Sequence, residues 1–537
     1  MVNWKVVVVS VALFLVMFVG MTSMVLYSIG PDGSCYVRQA ELYAEGDVWE
    51  GASGYWSPLL PAMSAPMIAG GVPSVIAFRI SQGLIGVGYV IAAIWAAVRI
   101  FDLKNMGQWL VGLISACLCA SWSSTLTTPD VAIAFFLLLY FPLTASSQFG
   151  KDWRLAAGAG MLGALAYLAK GYAFPYFLAH FTVCVALTFI WYRREISWWS
   201  AARTWLVGMI VFATFAGPWV ALLSAKHGKF TFATSAGFNH FQVGVEEFDW
   251  KVLYQMQRPA EGRYNIWETP EQLQYEDWSP LESKENLKRQ LGHIKLNIRK
   301  AMDCFAAFDA FALFPAALIL SWLAALWSGP SSKRYVVFWM IPTCGIYVGG
   351  YLPMPLELRY IWPVLFPLCL SQLWAFVEWM RTTPPEDAGE AHSPWRRYVP
   401  ICFALFLFGS CVLRPTYYWA RDAFNDRANA SLHHETGKTL IGEEAEGPIA
   451  MIGDKWDDGL LISYYAKMTF IGKTYADDWE AAERELDAFD IRTLIVDSRD
   501  PLAEEVAQQD QWREIMTTPV LDYEWRFYRR GAEKTAD

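Results

Sequence analysis

Charged residues are scarce in this sequence. Asp, Glu, Lys and Arg make up only 18% of its 537 residues, whereas a soluble globular domain carries about a quarter. Apolar residues make up 55%, and runs of roughly 20 of them recur, which is the length that crosses the ~30 Å hydrocarbon core of a bilayer. The composition therefore excludes a soluble multidomain enzyme and predicts a polytopic α-helical membrane protein.

Basic surfaces and a cysteine framework are also missing. The net charge is −9, and no stretch forms the basic face that nucleic-acid binding requires. Of nine cysteines, seven lie inside apolar runs, where they serve as small packing residues. Only Cys35 and Cys304 lie outside these runs. A disulfide framework is therefore not indicated, although a single pair between these two cysteines stays open.

The apolar runs predict about eleven membrane spans, at residues 4–29, 75–98, 108–127, 131–147, 155–169, 175–191, 203–223, 305–327, 335–351, 361–379 and 398–417. Short loops rich in Lys and Arg face the cytoplasm. Every second loop here is basic, beginning with Lys5 and ending with Arg396 and Arg397. We therefore expect a protein of the inner (cytoplasmic) membrane with a cytoplasmic N-terminus, and with Asp32 and Asp130 on the exterior side.

Three segments are not membrane spans, and this topology predicts all of them to be exterior. The first two are the loops 30–74 and 225–304, of which the second ends in the basic helical stretch "KRQLGHIKLNIRKAM". The third is residues 418–537, where "PIAMIGD" and "IRTLIVDSRD" read as buried strands and "DDWEAAERELDAF" as a helix. We therefore predict a membrane domain over residues 1–417 and a small soluble α/β domain that reads an acceptor, docks a partner or caps the loops.

Four ionisable residues lie where an apolar run meets an exterior loop: Asp32, Asp130, Lys170 and Arg359. A single charge at such a place commonly marks only the interface, and Asp130 after Pro129 also suits a helix start. All four share one side of the membrane, however, and both signs are present. Such a set can bind an anionic headgroup through its cations and leave a carboxylate free to accept a proton.

Aromatic residues accompany these charges. Tyr55 and Trp56 in "GYWSP" and Tyr360 in "RYIW" offer flat surfaces for a sugar or for lipid headgroups. In the second loop, Lys229 is a candidate headgroup contact or a surface charge, and His240 is a weak candidate ligand for a divalent metal ion or a solvated loop histidine.

At these residues the sequence resembles the membrane-embedded C-type glycosyltransferases (GT-C fold), in the branch that holds aminoarabinose transferases and protein O-mannosyltransferases. The resemblance covers residues 1–380 and rests on short motifs in a shared order. These are "PDGSCYVRQA" with Asp32 and Tyr36, "TTPDVAIAFF" with Asp130, "LAKGYAF" with Lys170, "RYIWP" with Arg359 and Tyr360, and "GPWV" at 217–220. A Lys-Pro-Pro of the aminoarabinose transferases is replaced here by "YWSPLLP", with Ser57 before Pro58, which argues against aminoarabinose as the sugar.

The resemblance implies a reaction and assigns roles to residues. A polyprenyl-phosphate sugar would be the donor, and a lipid, a glycan or a protein hydroxyl the acceptor. Asp32 would be the general base of an inverting transfer, Asp130 would orient the acceptor or a metal, and Lys170 and Arg359 would neutralise the leaving phosphate. Tyr36 would belong to the substrate-binding set. No nucleotide-sugar site is implied, in agreement with the lack of a phosphate-cradling glycine motif in the sequence.

Two other classes of protein fit a membrane chain with these charges. A transporter or lipid flippase is the main alternative, although transporters commonly show internal repeats and broken helices near the midplane. A non-catalytic assembly subunit that uses the C-terminal domain to bind a partner is the second. For the assembly subunit, replacement of Asp32 would leave function intact, whereas deletion of the C-terminal domain would abolish it.

Overall fold

The computed structural model describes residues 1–245, 251–273, 275, 278–306, 331–365, 431–443 and 445–531, together with isolated positions between 367 and 424. The first 227 residues are helical over most of their length. Their helices are α1 (Trp4–Met24), α2 (Gly30–Ala44), α3 (Val48–Gly51), α4 (Leu59–Ala69), α5 (Ser74–Phe101), α6 (Asn105–Thr125), α7 (Asp130–Thr144), α8 (Trp153–Ala169), α9 (Ala173–Trp191) and α10 (Trp198–His227).

Several of these helices match the length of a bilayer. Within the described part of the chain, α1, α5, α6, α9 and α10 are each long and apolar enough to cross a membrane, and α4 and α7 are shorter apolar helices. Since the hydrocarbon core offers no hydrogen-bond partners, the backbone there must satisfy itself within helices. The chain is therefore an integral membrane protein, as the composition predicted.

Polar residues mark the places where these helices begin. The side chain of Asn3 accepts a hydrogen bond from the backbone N–H of Lys5 at the start of α1, and Asp152 and Ser197 cap α8 and α10 in the same way. A side-chain oxygen at this position satisfies one of the free N–H groups of the first turn. The loops read from the sequence therefore contain the residues that start the next helix.

Small residues allow the membrane helices to pack closely. Helix α1 packs on α5 and α6, and α8 lies against both α7 and α10. A Cβ atom added to Gly160 on α8 would lie 2.3 Å from the carbonyl oxygen of Gly208 on α10, so no larger residue fits at this crossing. Close backbone approach through small residues is a common basis of helix association in membranes.

The second half of the membrane domain contains α11 (Ser235–Gly244), α12 (Lys251–Tyr254), α13 (Lys284–Ala306) and α14 (Ser331–Tyr351), with short 3-10 helices at Ile266–Glu268, Pro270–Gln272 and Leu358–Ile361. Helix α13 confirms the helical reading of the basic stretch. The predicted spans 155–169 and 335–351 fall within α8 and α14. The predicted spans 305–327, 361–379 and 398–417 lie wholly or largely outside the described residues, so the number eleven stays a prediction.

The C-terminal part is an α/β domain. Its strands are β1 (Ile449–Ile452), β2 (Phe470–Lys473), β3 (Thr493–Asp497), β4 (Trp512–Val520) and β5 (Tyr523–Arg530), in the sheet order β2-β1-β3-β5-β4. Strands β1, β2 and β3 are parallel, while β5 is antiparallel to β3 and to β4. The helices are α15 (Leu432–Gly442), α16 (Trp456–Ala466), α17 (Trp479–Ala488) and α18 (Ala503–Val506). The two strands and the helix read from the sequence are β1, β3 and α17.

This domain contacts the end of the membrane domain at which α1 finishes. The ring of His434 stacks on that of Tyr27 with centroids 3.6 Å apart, and the Tyr465 hydroxyl donates to the Tyr27 carbonyl at 2.6 Å. The Tyr464 hydroxyl donates to Glu41 on α2 at 3.3 Å. The α/β domain therefore rests on the turn and the helix that follow the first span.

Candidate active site

Asp32 lies in the first turn of α2, directly after the first membrane helix. Gly30 has a positive φ of 63° and Pro31 occupies the first turn, so the chain turns sharply out of α1 and starts a new helix. One carboxylate oxygen of Asp32 accepts a hydrogen bond from Trp267 Nε1 at 3.1 Å, and the other accepts one from Arg359 at 3.0 Å. The side chain keeps 29% exposure, so a substrate can reach it.

Arg359 is held from two sides by carboxylates. Besides Asp32, it contacts Glu357, whose two oxygens lie 2.7 Å from its Nε and 3.1 Å from a terminal nitrogen. Burial alone would disfavour the guanidinium charge, but the neighbouring carboxylates, Asp130 foremost, outweigh burial and raise the pKa of Arg359. This residue is therefore a fixed cation beside Asp32.

A second carboxylate-cation pair lies next to the first. Asp130 starts α7 and is nearly fully buried, and its oxygens contact Lys170 and the hydroxyl of Thr128, the latter at 2.6 Å. Lys170 follows the last residue of α8, and its side chain is 19% exposed. Because both oxygens of Asp130 have partners, this carboxylate positions Lys170 rather than facing solvent.

Tyr360 connects the two pairs. Its ring lies under the ammonium of Lys170, 4.1 Å from the centroid, and its hydroxyl donates to Glu357 at 3.0 Å. A cation over an aromatic ring is attracted by the negative face of that ring. The four ionisable residues predicted from the sequence thus form one cluster, which together with Glu357 we call the charged cluster.

Three of the aromatic residues predicted to bind substrate form a group with Trp267, and two of the three are buried. Tyr36 and Trp56 are each 5% exposed, with their ring centroids 5.1 Å apart. Trp56 Nε1 donates to the Trp267 carbonyl at 3.0 Å. Tyr55 is partly exposed, with its ring centroid 5.3 Å from that of Trp267. Trp56 and Tyr55 therefore pack directly on Trp267, and Tyr36 packs on Trp56.

Ser57, which stands where relatives of the resembled branch carry a lysine, has its own function here. Its hydroxyl accepts a hydrogen bond from the backbone N–H of Gly171 at 3.0 Å. Gly171 follows Lys170 directly, so the serine fixes the turn that carries this cation.

Two predicted residues, Lys229 and His240, are not among those whose contacts form the charged cluster. Lys229 is exposed in the loop after α10, and it is the neighbouring Lys226 that binds the carbonyls of Trp49 and Ala52, at 2.8 Å each. His240 lies on α11 with its ring near Trp278. In the described ranges, no three His, Cys, Asp or Glu side chains are grouped so as to hold a metal ion.

The option of a Cys35–Cys304 disulfide is not realised, since Cys35 is a free, buried thiol.

The sequence reasoning missed Arg79, which lies inside the apolar run of α5 and is 3% exposed. Its guanidinium donates to the carbonyls of Ser28 at 2.8 Å and Ser124 at 3.1 Å. Gln82, one turn further along, donates to the Leu126 carbonyl at 2.6 Å. These carbonyls belong to the turns that precede Asp32 and Asp130. Arg79 and Gln82 thus tie together the two turns that carry the carboxylates.

The same two turns also touch each other. The Thr127 hydroxyl donates to the Ile29 carbonyl, and a Cβ atom on Gly33 would lie 1.9 Å from the Thr127 hydroxyl oxygen. Glycine at position 33 is therefore required for this close approach.

The sequence does contain a signal for Arg79. It is a cation within an apolar run and without an acidic neighbour, and such a residue must find its partners elsewhere.

An apolar groove of about 600 Å³ opens beside the charged cluster. Its walls come from α2, α4, the end of α8 and the second half of α10, and include Pro58, Leu168, Pro218 and Trp219. Pro58 and Leu168 adjoin Ser57 and the Lys170 turn in the sequence. Two wall residues of the groove are therefore close in sequence to Ser57 and to the Lys170 turn.

Comparisons by sequence find no match: no protein-family model and no curated protein corresponds to this chain. Comparisons by structure do. The oligosaccharyltransferase of Archaeoglobus fulgidus in its apo form superposes with a TM-score of 0.57 and 13% identity, covering 92% of this chain and 69% of its own. ArnT from Cupriavidus metallidurans, bound to undecaprenyl phosphate, superposes with a TM-score of 0.54 and 15% identity, covering 98% of both chains.

A further structure, the archaeal oligosaccharyltransferase AglB in complex with an inhibitory peptide and a dolichol-phosphate, gives a TM-score of 0.52 at 11% identity, over 91% of this chain and 69% of that one. At such identities the likeness concerns the course of the chain and not its chemistry. This chain has the GT-C fold of the membrane-embedded glycosyltransferases, from the first membrane helix through the C-terminal α/β domain.

Proposed function

We propose that this protein transfers a sugar from a polyprenyl-phosphate donor to an acceptor hydroxyl at the exterior face of the membrane, with inversion. The observation that carries the proposal is the position of Asp32. Its carboxylate is accessible, has a fixed orientation through Trp267, and lies beside the cation Arg359. A general base must lie within hydrogen-bond reach of the hydroxyl it activates, and a cation beside it suits a departing phosphate.

The donor phosphate would compete with carboxylates for Arg359. Without substrate, the guanidinium spends its donors on Asp32 and Glu357. Arginine binds phosphate in the same forked geometry as it binds carboxylate. A phosphate that takes over these donors would release one oxygen of Asp32, which then accepts the proton of the acceptor hydroxyl. Binding of the donor would thereby prepare the base.

The transfer itself then balances without a further reactant. The acceptor oxygen forms a bond to the anomeric carbon as its proton passes to Asp32. The bond between that carbon and the phosphate oxygen breaks, and its electron pair stays on polyprenyl phosphate. Lys170 and Arg359 offset the charge on the leaving phosphate, while Asp130 keeps Lys170 in position through their ion pair.

The polyprenyl chain would lie in the apolar groove, whose wall residue Leu168 is two positions before Lys170. Undecaprenyl phosphate and dolichol-phosphate occur in the structures of ArnT and AglB, which share this fold. The proposal includes an acceptor hydroxyl on a lipid, a glycan or a protein, with or without a divalent metal ion in the reaction.

The test is transfer from a panel of short-chain polyprenyl-phosphate sugars by the purified full-length protein, with a cell-envelope extract as the source of acceptors. Release of polyprenyl phosphate is measured for the wild type, Asp32→Asn and Asp47→Asn. Asp47 is an exposed acid of the same segment and caps α3, so its replacement is a matched control. We expect Asp32→Asn to fold and insert but to lose about 10²-fold or more in rate.

Two results would overturn the proposal. Equal rates for Asp32→Asn and the wild type would remove Asp32 as the base. If the wild type consumes no donor but moves a lipid-linked substrate across vesicles, the protein is a transporter.

A further inference from the structure

Helix α13 carries an apolar stripe that no described part of the protein covers. Its members recur at positions 287, 291, 294 and 298, the spacing of one helix face. Leu287, Leu291 and Ile298 are 44%, 57% and 46% exposed, and Met302, which continues the stripe, is 54% exposed. Four such side chains in one row are more than the scattered exposed apolar residues of an ordinary surface.

Basic residues lie along one border of this stripe. Lys288, Lys295 and Arg299 each follow a stripe residue by one position, or by about 100° around the helix. All three side chains are exposed. Helix α13 contains six basic residues and two acidic ones, in a chain whose net charge is −9. An apolar face bordered by cations is typical of helices that lie in a membrane interface.

The face of α13 that carries Gln290, Asn297 and Ala301 is buried against the protein. Gln290 donates to the Pro353 carbonyl at 3.0 Å, and Asn297 donates to the Leu352 and Met354 carbonyls at 2.9 and 2.6 Å. Residues 352–354 follow the last residue of α14, a predicted span that ends at the exterior face. The predicted topology therefore places the middle of α13 at the depth of the lipid headgroups.

We propose that α13 is an interfacial helix that binds the anionic lipid surface of the exterior leaflet. The stripe enters the boundary between headgroups and acyl chains, and Lys288, Lys295 and Arg299 contact lipid phosphates. Because Gln290 and Asn297 hold the turn 352–354, lipid binding also stabilises the segment that leads to Arg359. This inference goes beyond the proposed reaction, and its physical part does not depend on it.

The first test measures depth. The full-length protein is labelled with a fluorophore at Leu291→Cys and reconstituted in nanodiscs that contain lipids brominated on their acyl chains. The wild type, which has no cysteine at position 291, passes through the same labelling and reconstitution and gives the background. The control is a label at Leu521→Cys, because Leu521 is 86% exposed in the turn between β4 and β5 of the α/β domain. We expect quenching at position 291 and none at 521. A label at 291 that no brominated lipid quenches would overturn the proposal, whether water or another protein segment covers the stripe.

The second test measures coupling to the lipid. Hydrogen exchange of residues 352–360 is compared in nanodiscs of phosphatidylcholine and of equal parts phosphatidylcholine and phosphatidylglycerol. We expect exchange to be about fivefold or more slower with the anionic lipid, since each nearby Lys or Arg contributes about a fivefold factor to binding. The triple variant Lys288→Gln, Lys295→Gln, Arg299→Gln loses this difference. The matched variant Lys438→Gln, Arg484→Gln, Arg513→Gln, which removes three exposed cations of the α/β domain, retains it.

Equal exchange in both lipids for the wild type would overturn the coupling to anionic lipid. Both readouts are independent of sugar transfer. Their outcome therefore stands if the proposed reaction fails, and the donor panel stands if α13 proves not to bind lipid.

Discussion

The ammonium of Lys170 lies 4.1 Å from the ring centroid of Tyr360, and the hydroxyl of the same tyrosine donates to Glu357. Glu357 in turn holds Arg359. One aromatic side chain therefore sets the relative positions of the two cations, although Lys170 and Arg359 come from opposite halves of the membrane domain. A substrate phosphate that contacts both cations meets a preformed pair, which reduces the ordering cost of binding.

We expect substitutions of Arg359 and Glu357 to change the affinity for the donor in opposite directions. Arg359→Lys replaces a forked cation by a point charge, so we expect the KM for the polyprenyl-phosphate donor to rise about tenfold. Glu357→Gln removes one competitor for the guanidinium, so the KM for the donor should fall. Initial rates over a donor titration measure both effects. A higher KM in Glu357→Gln would contradict competition between carboxylate and phosphate.

We expect substitutions of Asp130 and Lys170 to have coupled effects on stability. Removing one partner leaves the other buried and unpaired, so Asp130→Asn and Lys170→Met should each cost about 3 kcal/mol. The double variant should be more stable than the sum of the two losses predicts. Thermal unfolding in detergent measures the stability, and donor consumption is measured on the same samples. We expect the double variant to stay inactive, because the cation is gone. Recovery of activity would show that Lys170 is only structural.

Arg79 predicts an effect on the geometry of the site. Arg79→Met leaves the carbonyls that end α1 and α6 without donors, so we expect a loss of about 3 kcal/mol in unfolding free energy. Hydrogen exchange should rise at residues 25–32 and 124–130. The rate kcat should fall more than donor affinity, because the distance changes between Asp32 and the two cations proposed to bind the phosphate, Lys170 and Arg359. Arg79→Lys should recover part of each loss.

The control for Arg79 is Arg99→Met on the same helix. Arg99 is exposed near the other end of α5, so its replacement should leave exchange at both turns unchanged. Unchanged exchange in Arg79→Met as well would contradict the positioning role.

Glu268 predicts a pH dependence of stability. Burial raises the pKa of this carboxyl group from 4.5 to about 7, against the opposing effect of Arg263. The folded protein therefore holds this proton more tightly than the unfolded chain. Its contribution to stability is fully present below pH 4.5 and is lost as the pH rises to about 7. The stability measured by thermal unfolding from pH 4.5 to about 7, the range set by the two pKa values, should fall less steeply with pH for Glu268→Gln than for the wild type. An unchanged slope would contradict the raised pKa.

Part of this site could be predicted from the sequence because its signals are local. Asp32, Asp130, Lys170 and Arg359 are charges at the ends of apolar runs, and the structure brings all four into one cluster. Strands β1 and β3 were also predicted, since buried parallel strands are continuous apolar runs.

Other parts depend on contacts that no local pattern contains. Trp267 binds Asp32 from 235 residues away, and it comes from a loop without periodicity. Trp56 was predicted to face a substrate or the headgroups, but it is buried because Trp267 covers it. Lys229 was predicted as a headgroup contact or a surface charge and is exposed, whereas Lys226, one turn earlier on α10, makes the contacts to the first loop. Side-chain direction decides both cases, and composition does not reveal it.

The ion pair between Asp32 and Arg359 joins positions 327 residues apart. At a synthesis rate of about 5 to 20 residues per second, roughly 15 to 65 s pass between the appearance of the carboxylate and that of its cation. During this interval the nascent membrane domain carries an acidic group whose permanent partner does not exist yet. A chain that terminates early, before residue 359, would insert its first helices but never complete the charged cluster. The order of synthesis thus makes the assembly of the charged cluster a late event in the biogenesis of this protein.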